Sequence, residues 1–181
     1  TGALQIGEVR DDSCIKIAAT KEKCSWTYLG TINDITALKQ SSNTYQFRTA
    51  INVGKGYYQY DSPLKIDPEA FDVYRKTFNQ FGLGVKTEID LPVESLGYIG
   101  DSTQAGLLLD FSIGQYDTYT PIQLSQYIST IANGGNRMKF NLLKEVHSSV
   151  DNEIIYKVEP TILNKVETEE QFLNRVKLGF R

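Results

Sequence analysis

Histidine is almost missing from this chain of 181 residues: His147 is the only one. Any Ser-His-Asp set would have to be built around that single imidazole. It lies near the predicted hairpin turn at Asp151-Asn152, where an exposed and inert side chain is expected. Cysteine occurs twice, as Cys14 and Cys24, ten positions apart in "CIKIAATKEKC". Two free thiols in a small hairpin are the plain reading. A cross-strand disulfide fits an extracellular protein. A zinc site with Asp11 and Asp12 nearby is the third arrangement, poorly served because the only imidazole is far away in sequence. Basic residues do not predominate: 19 Lys and Arg stand against 22 Asp and Glu, for a formal charge of -3. With no basic stripe, nucleic acid is not an expected partner. Long apolar runs are missing too. The longest, around "GLLLDF" at 106–111, falls far short of the roughly 18 residues that would read as a membrane span. There are no repeats and no low-complexity tracts. No signal peptide is visible, and the chain begins at Thr1 rather than Met, which reads as a processed or excised piece.

What is present is ordinary globular material. Hydrophobic residues make up 40% and charged residues 23%, and a chain of this size can bury roughly 70% of its unfolded surface. Eleven Tyr and eight Phe supply much of the packing area. Residues 12–28 read as a hairpin or irregular excursion anchored by Trp26 and Tyr28. A helix is expected from a cap at Asn33 or Asp34, with Ile35, Ala37 and Leu38 inward and "SSN" at its end. A second helix carries Tyr45, Phe47, Ala50 and Ile51 and stops at Gly54 and Gly56. Asp67-Pro68 opens a third, whose apolar face is Phe71, Tyr74, Phe78 and Phe81. Residues 85–100 read as extended loop. Thr120 and Gln123 form a T-x-x-Q capping box with Pro121 at the first helical position. The stripe Ile122, Leu124, Tyr127, Ile128 and Ile131 is expected to be buried. Residues 139–147 and 153–159 read as two strands. A second box, Thr168 and Gln171, is expected to open a last helix. The fold class is mainly α with small β-hairpins, and no set of strands is sufficient for a large sheet.

Little of the chemistry is conspicuous. "GKGYYQY" at 54–60 lacks the lysine and helix of a phosphate cradle. Asp90, Glu94 and Asp110 read as solvated or capping carboxylates rather than acid–base partners. Ser41-Ser42-Asn43 has the form S-x-N, and by itself it reads as a polar helix joint. Its company changes that. "SSNTY" is followed by "FGLGVKTEIDLPVESLGYI" at 81–99, "SIGQYDTYTPIQLSQYISTIANGG" at 112–135 and "LNKVETEEQFLNRVKLGF" at 163–180.

This ordered series resembles the transpeptidase domain of class B penicillin-binding proteins, most closely the type 2 members of low-GC Gram-positive bacteria. In that family S-x-x-K, S-x-N and K-[ST]-G assemble one site. The resemblance implies a D,D-transpeptidase that cross-links peptidoglycan stem peptides through a serine acyl-enzyme and is acylated by β-lactams. It needs no cofactor, acts outside the cytoplasmic membrane beside the cell-wall synthesis machinery, and is anchored by an N-terminal helix. Ser41 would relay a proton, Asn43 would bind a substrate carbonyl and steady the S-x-x-K lysine, and Ser42 would be the variable middle position. The chain departs from the full pattern. "SCIK" at 13–16 has the spacing of S-x-x-K but lies in the expected hairpin. "VKTE" at 85–88 and "VKLG" at 176–179 each miss one element of K-[ST]-G. Glu88 stands where relatives often have Gly, a difference expected to bear on a turn rather than on the chemistry. The chain thus reads as the helical subdomain of the β-lactamase/transpeptidase-like fold, residues 1–181, without the central sheet and inactive in isolation. A serine β-lactamase or β-lactam sensor, and a catalytically dead scaffold, are the rival readings.

Overall fold

The computed structural model describes residues 2–181. Two compact units share the chain. The first comprises 1–76, 99–118 and 169–181, and the second 77–98 and 119–168.

In the first unit, β1 (Val9–Asp11) pairs antiparallel with β2 (Thr31–Asn33). Asn33 caps α1 (Asp34–Lys39) by accepting from the Thr36 amide. After a three-residue turn comes α2 (Asn43–Val53), which buries Thr44, Tyr45, Phe47, Ala50 and Ile51. Next come α3 (Glu69–Gln80), which gives its last residues to the second unit, and α4 (Ala105–Ser112). In the second unit, α5 (Pro121–Ala132) is followed by β3 (Asn136–Met138), β4 (Glu145–His147), β5 (Ile154–Lys157) and β6 (Ile162–Lys165). β3 pairs with β6 and β4 with β5, both antiparallel. The chain ends in α6 (Glu170–Gly179), which belongs to the first unit. The expected class holds: helices with two-stranded ribbons and no large sheet among the described residues.

Aromatic packing and one ionic node hold the centre of the first unit. The Phe71 and Phe111 rings stack at 5.9 Å, and Tyr116 meets both edge-on. Arg75 lies over both phenylalanine rings. Its Nε and Nη2 donate to the two oxygens of buried Asp117 at 2.9 and 3.0 Å, and Nη2 also donates to the Gly100 carbonyl. The Gly100 amide donates back to Asp117. A β-carbon at Gly100 would come within 2.2 Å of the Tyr116 ring, so only glycine fits. The carboxylate thus ties three chain segments together. In the same unit, Arg175 of α6 forms a bidentate pair with Asp34 of α1. Gly179 lets α6 close on Leu38, where a β-carbon would stand 2.7 Å away. This contact holds the helix that leads into residues 41–43.

The excursion at 12–28 is a hairpin with a single hydrogen-bonded rung. Ile15 and Lys23 exchange both backbone bonds, at 2.8 and 2.7 Å. The neighbouring pair is then the close, non-hydrogen-bonded one. Cys14 and Cys24 occupy it, with Cα atoms 4.4 Å apart, and are joined by a disulfide. The free-thiol and zinc arrangements therefore do not apply. Closing a loop of ten residues removes unfolded-chain entropy worth about 2–3 kcal/mol. Reduction is expected to lower the melting temperature of the 181-residue chain by about 5–10 °C. Calorimetry with and without reductant reads this directly. An unchanged melting point would mean that the loop is already restrained when the chain unfolds.

The hairpin's anchors differ from expectation. Trp26 is 70% exposed, and it is held through its indole N–H, which donates to the Gln40 carbonyl at 2.9 Å. Tyr28 is also exposed and donates to Asp11.

In the second unit the capping box of α5 forms as expected, with Thr120 and Gln123 satisfying each other's backbone amides. Of the expected stripe, Ile131 is buried and Ile122 and Tyr127 are half-buried. Leu124 is 46% exposed and Ile128 is exposed as well, whereas Gln123 and Gln126 are both 0% exposed. The amides win because they have work no apolar side chain can do. Gln123 donates to the carbonyls of Val85 and Leu96. Gln126 donates to those of Thr87 and Met138 and accepts from Arg137, which also donates to the Lys86 carbonyl. A loop without secondary structure needs such donors, because buried carbonyls left unpaired are costly.

The second capping box does not form. Glu169 stands at the cap of α6 and makes no side-chain capping bond. The β3–β6 ribbon, extended by the Val166 amide donating to Gly135, already fixes the chain just before Thr168.

Candidate functional site

Helix α1 ends in a Schellman turn. The Ser41 amide bonds the Leu38 carbonyl, and the Ser42 amide bonds the Ala37 carbonyl. The left-handed position of this motif usually belongs to glycine. Here it is Ser41, with φ of 54°. A non-glycine residue at that position costs on the order of 1 kcal/mol and persists where its surroundings enforce it.

The three residues of the S-x-N element then alternate. Ser41 is exposed, Ser42 is buried and Asn43 is half-buried. Ser42 is the N-cap of α2, accepting from the Tyr45 amide at 3.1 Å. The middle position is therefore a structural anchor in this chain, while Ser41 is open to solvent. The Asn43 side-chain amide donates to the Cys24 carbonyl at 3.2 Å, so the disulfide hairpin lies against the turn.

Under the turn sits Asp12, only 3% exposed. Its Oδ1 accepts hydroxyl hydrogen bonds from Ser42 at 2.5 Å, from Ser25 at 2.9 Å and from Thr44. Its Oδ2 accepts from the Leu29 amide at 3.1 Å. Ser25 in turn accepts from the amides of Asn43 and Thr44 at 3.0 and 3.3 Å. The first three amides of α2 thus reach one carboxylate through two hydroxyls. Burial alone would raise the Asp12 pKa, but the hydrogen bonds from Ser42, Thr44, Ser25 and Leu29 outweigh it and hold the carboxyl below its ordinary value. A negative charge close to a helix N-terminus is the favourable arrangement. Sequence reading missed Asp12 and Ser25. Nothing in "RDDSC" or "KCSWT" marks partners that lie 13–32 positions away.

The other candidates each have partners of their own. "SCIK" is extended: Cys14 is in the disulfide, Lys16 pairs with Asp61 at 2.9 Å and Ser13 accepts from Arg48. "VKLG" lies inside α6. In "VKTE" Thr87 is buried, and Glu88 takes φ of 58°, so it occupies the left-handed conformation that favours glycine. Asp90 accepts from the amides of Leu142 and Leu143, Glu94 from that of Thr87, and Asp110 pairs with Lys23. His147 clasps its own hairpin, with Nδ1 3.0 Å from the Asn152 carbonyl and Nε2 3.0 Å from Glu145. The Asn152 carbonyl, then Glu145, raises its pKa.

The turn presents a serine and an asparagine two residues apart, held from below by a buried cap. The family model of the penicillin-binding protein transpeptidase domain matches residues 2–181, and the chain belongs to that family. Penicillin-binding protein 2A of Bacillus subtilis (strain 168) is 50% identical over 186 residues, covering 100% of this chain and 26% of that protein. Penicillin-binding protein H of the same strain is 43% identical over 164 residues, covering 88% of this chain and 23% of that protein. The solved structure of penicillin-binding protein 2B from Streptococcus pneumoniae (strain 5204) superposes with a TM-score of 0.90 at 31% identity. That match covers 99% of this chain and 31% of the solved one. The chain thus spans about a quarter of the length of these curated relatives. The relatives place it among the class B penicillin-binding proteins.

Proposed function

We propose that these residues are the middle part of a peptidoglycan D,D-transpeptidase site and supply its S-x-N element. The carrying observation is the alternation at 41–43: Ser42 is buried as a helix cap while Ser41 is exposed, and Asn43, with one side-chain amide hydrogen on the Cys24 carbonyl, has its second for a ligand. Serine is a poor nucleophile at its free pKa and needs a base beside it. Ser41 both donates and accepts, so it shuttles the proton between the lysine of an S-x-x-K serine and the leaving nitrogen. Asn43 offers an amide that donates to the substrate carbonyl while its oxygen accepts from that lysine.

The reaction is stem-peptide cross-linking through a serine acyl-enzyme, which β-lactams intercept. The protein works at the outer face of the cytoplasmic membrane with other cell-wall synthesis proteins. No helix among the described residues is long and apolar enough to cross a membrane, so an anchor would come from another part of the protein. The extended, ion-paired "SCIK" supports a nucleophile outside these residues.

A fluorescent penicillin is expected to label the complete domain at a serine outside residues 1–181 and to leave the 181-residue chain unlabelled. A label on Ser13 or Ser41 would overturn this division of the site. A complete domain that takes no label points instead to a catalytically dead scaffold.

A further inference from the structure

Ser42 alone would cap α2, so helix capping does not explain the buried carboxylate beneath it. Burying a charge is unfavourable unless its oxygens are fully engaged, and Asp12 has four donors, three of them on a single oxygen. Those donors share one property. Ser42 and Thr44 flank Asn43, Ser25 holds the Asn43 and Thr44 amides, and Leu29 lies on the returning limb of the disulfide hairpin. The same hairpin supplies the Cys24 carbonyl that receives the Asn43 side chain. The element that Asp12 clamps is therefore the strained turn at Ser41 together with the first residue of α2.

We propose that Asp12 is a positioning residue for the transpeptidase reaction, fixing the orientations of Ser41 and Asn43 through the hydroxyls of Ser42, Thr44 and Ser25. This rests on the S-x-N reading given above. The clamp acts on geometry, not on substrate. A left-handed serine has a ready alternative in relaxing toward negative φ, and that would swing its hydroxyl away from a reacting nitrogen. Displacements of about 1 Å in such a group cost on the order of a hundredfold in rate.

Asparagine cannot replace the carboxylate. With its oxygen toward the three hydroxyls, its NH2 would face the Leu29 amide, donor against donor. Turned the other way, it would face three hydroxyls that already accept backbone amides or need an acceptor of their own.

The test uses the complete transpeptidase domain with Asp12→Asn, Ser25→Ala, Ser25→Thr and, as a reference, Ser41→Ala. Acylation by a fluorescent β-lactam is resolved into its saturating rate and its half-saturating concentration. Hydrogen exchange is followed on the same proteins. Asp12→Asn is expected to lower the saturating rate about tenfold or more, consistent with a misplaced catalytic group, with the half-saturating concentration within about twofold. Protection should fall at the amides of Asn43, Thr44 and Tyr45 and persist from Phe47 to Ile51. Ser25→Ala should show the same pattern more weakly, and Ser25→Thr, which keeps the hydroxyl, should restore it.

If Ser41→Ala is slow but Asp12→Asn and Ser25→Ala acylate like the unmodified domain, the positioning role fails alone. If Ser41→Ala acylates normally, the S-x-N reading fails first. Uniform loss of protection through Ile51 would make Asp12 an ordinary structural residue. Should Asp12→Asn fail to fold, the Ser25 pair decides: equal rates in Ser25→Ala and Ser25→Thr refute the proposal.

Discussion

Replacing Ser41 with glycine is expected to make the chain more stable and the complete enzyme nearly inactive. The two effects have separate causes. Ser41 holds the left-handed position of a Schellman turn at φ of 54°, where glycine carries no steric penalty. Against that gain stands the greater freedom of glycine in the unfolded chain. The balance is about 0.5–1 kcal/mol in favour of the variant, or a melting temperature roughly 2–3 °C higher. In the complete domain the same change removes the hydroxyl proposed as the proton relay, and β-lactam acylation should fall by about two to three orders of magnitude. Ser41→Ala should lose activity equally without gaining stability, which separates the backbone effect from the chemical one. Normal acylation by Ser41→Gly would remove Ser41 from the reaction. A lower melting temperature would show that the hydroxyl, and not the backbone, stabilises the turn.

The second large effect belongs to stability alone. Asp117→Ala deletes the acceptor shared by Arg75 and the Gly100 amide. It leaves a guanidinium over two phenylalanine rings without its counter-charge. Removing one partner of a buried pair typically costs 3–5 kcal/mol. Arg75 is partly solvated, its side chain being 23% exposed, so the lower end applies. About 3 kcal/mol corresponds to a fall of about 6–12 °C in melting temperature for a chain of this size. Far-UV circular dichroism on the 181-residue chain reads it. Asp117→Asn keeps an acceptor for the Gly100 amide and should lie between the two. A shift below about 1 kcal/mol would mean that water replaces the carboxylate at Arg75.

Much of the fold was legible because its signals are local. The Asn33 cap, the Thr120–Gln123 box and the apolar spacing of α2 each lie within one or two helical turns of their targets. What was illegible depends on partners distant in sequence. On α5, Ile131 is buried as its spacing predicts, whereas Leu124 and Ile128 give way to Gln123 and Gln126, which look polar until the carbonyls of residues 85–96 are brought to them. The Thr168–Gln171 box failed because the pairing of 162–166 with 135–138 had already determined the path of the chain. The site divides the same way. Ser41 and Asn43 are candidates through the family resemblance of the segments that follow them, whereas Asp12 and Ser25 meet the turn only in three dimensions.

The glutamines of α5 have a consequence for sequence drift. Gln123, Gln126 and Arg137 grip the segment from Val85 to Leu96 through its backbone oxygens. Every amino acid carries that oxygen. The identities of the gripped residues are therefore only weakly coupled to the grip, and exposed positions such as Lys86, Leu91, Val93 and Leu96 can change without loosening the segment. Such a loop can acquire new surface chemistry one substitution at a time while its path stays constant.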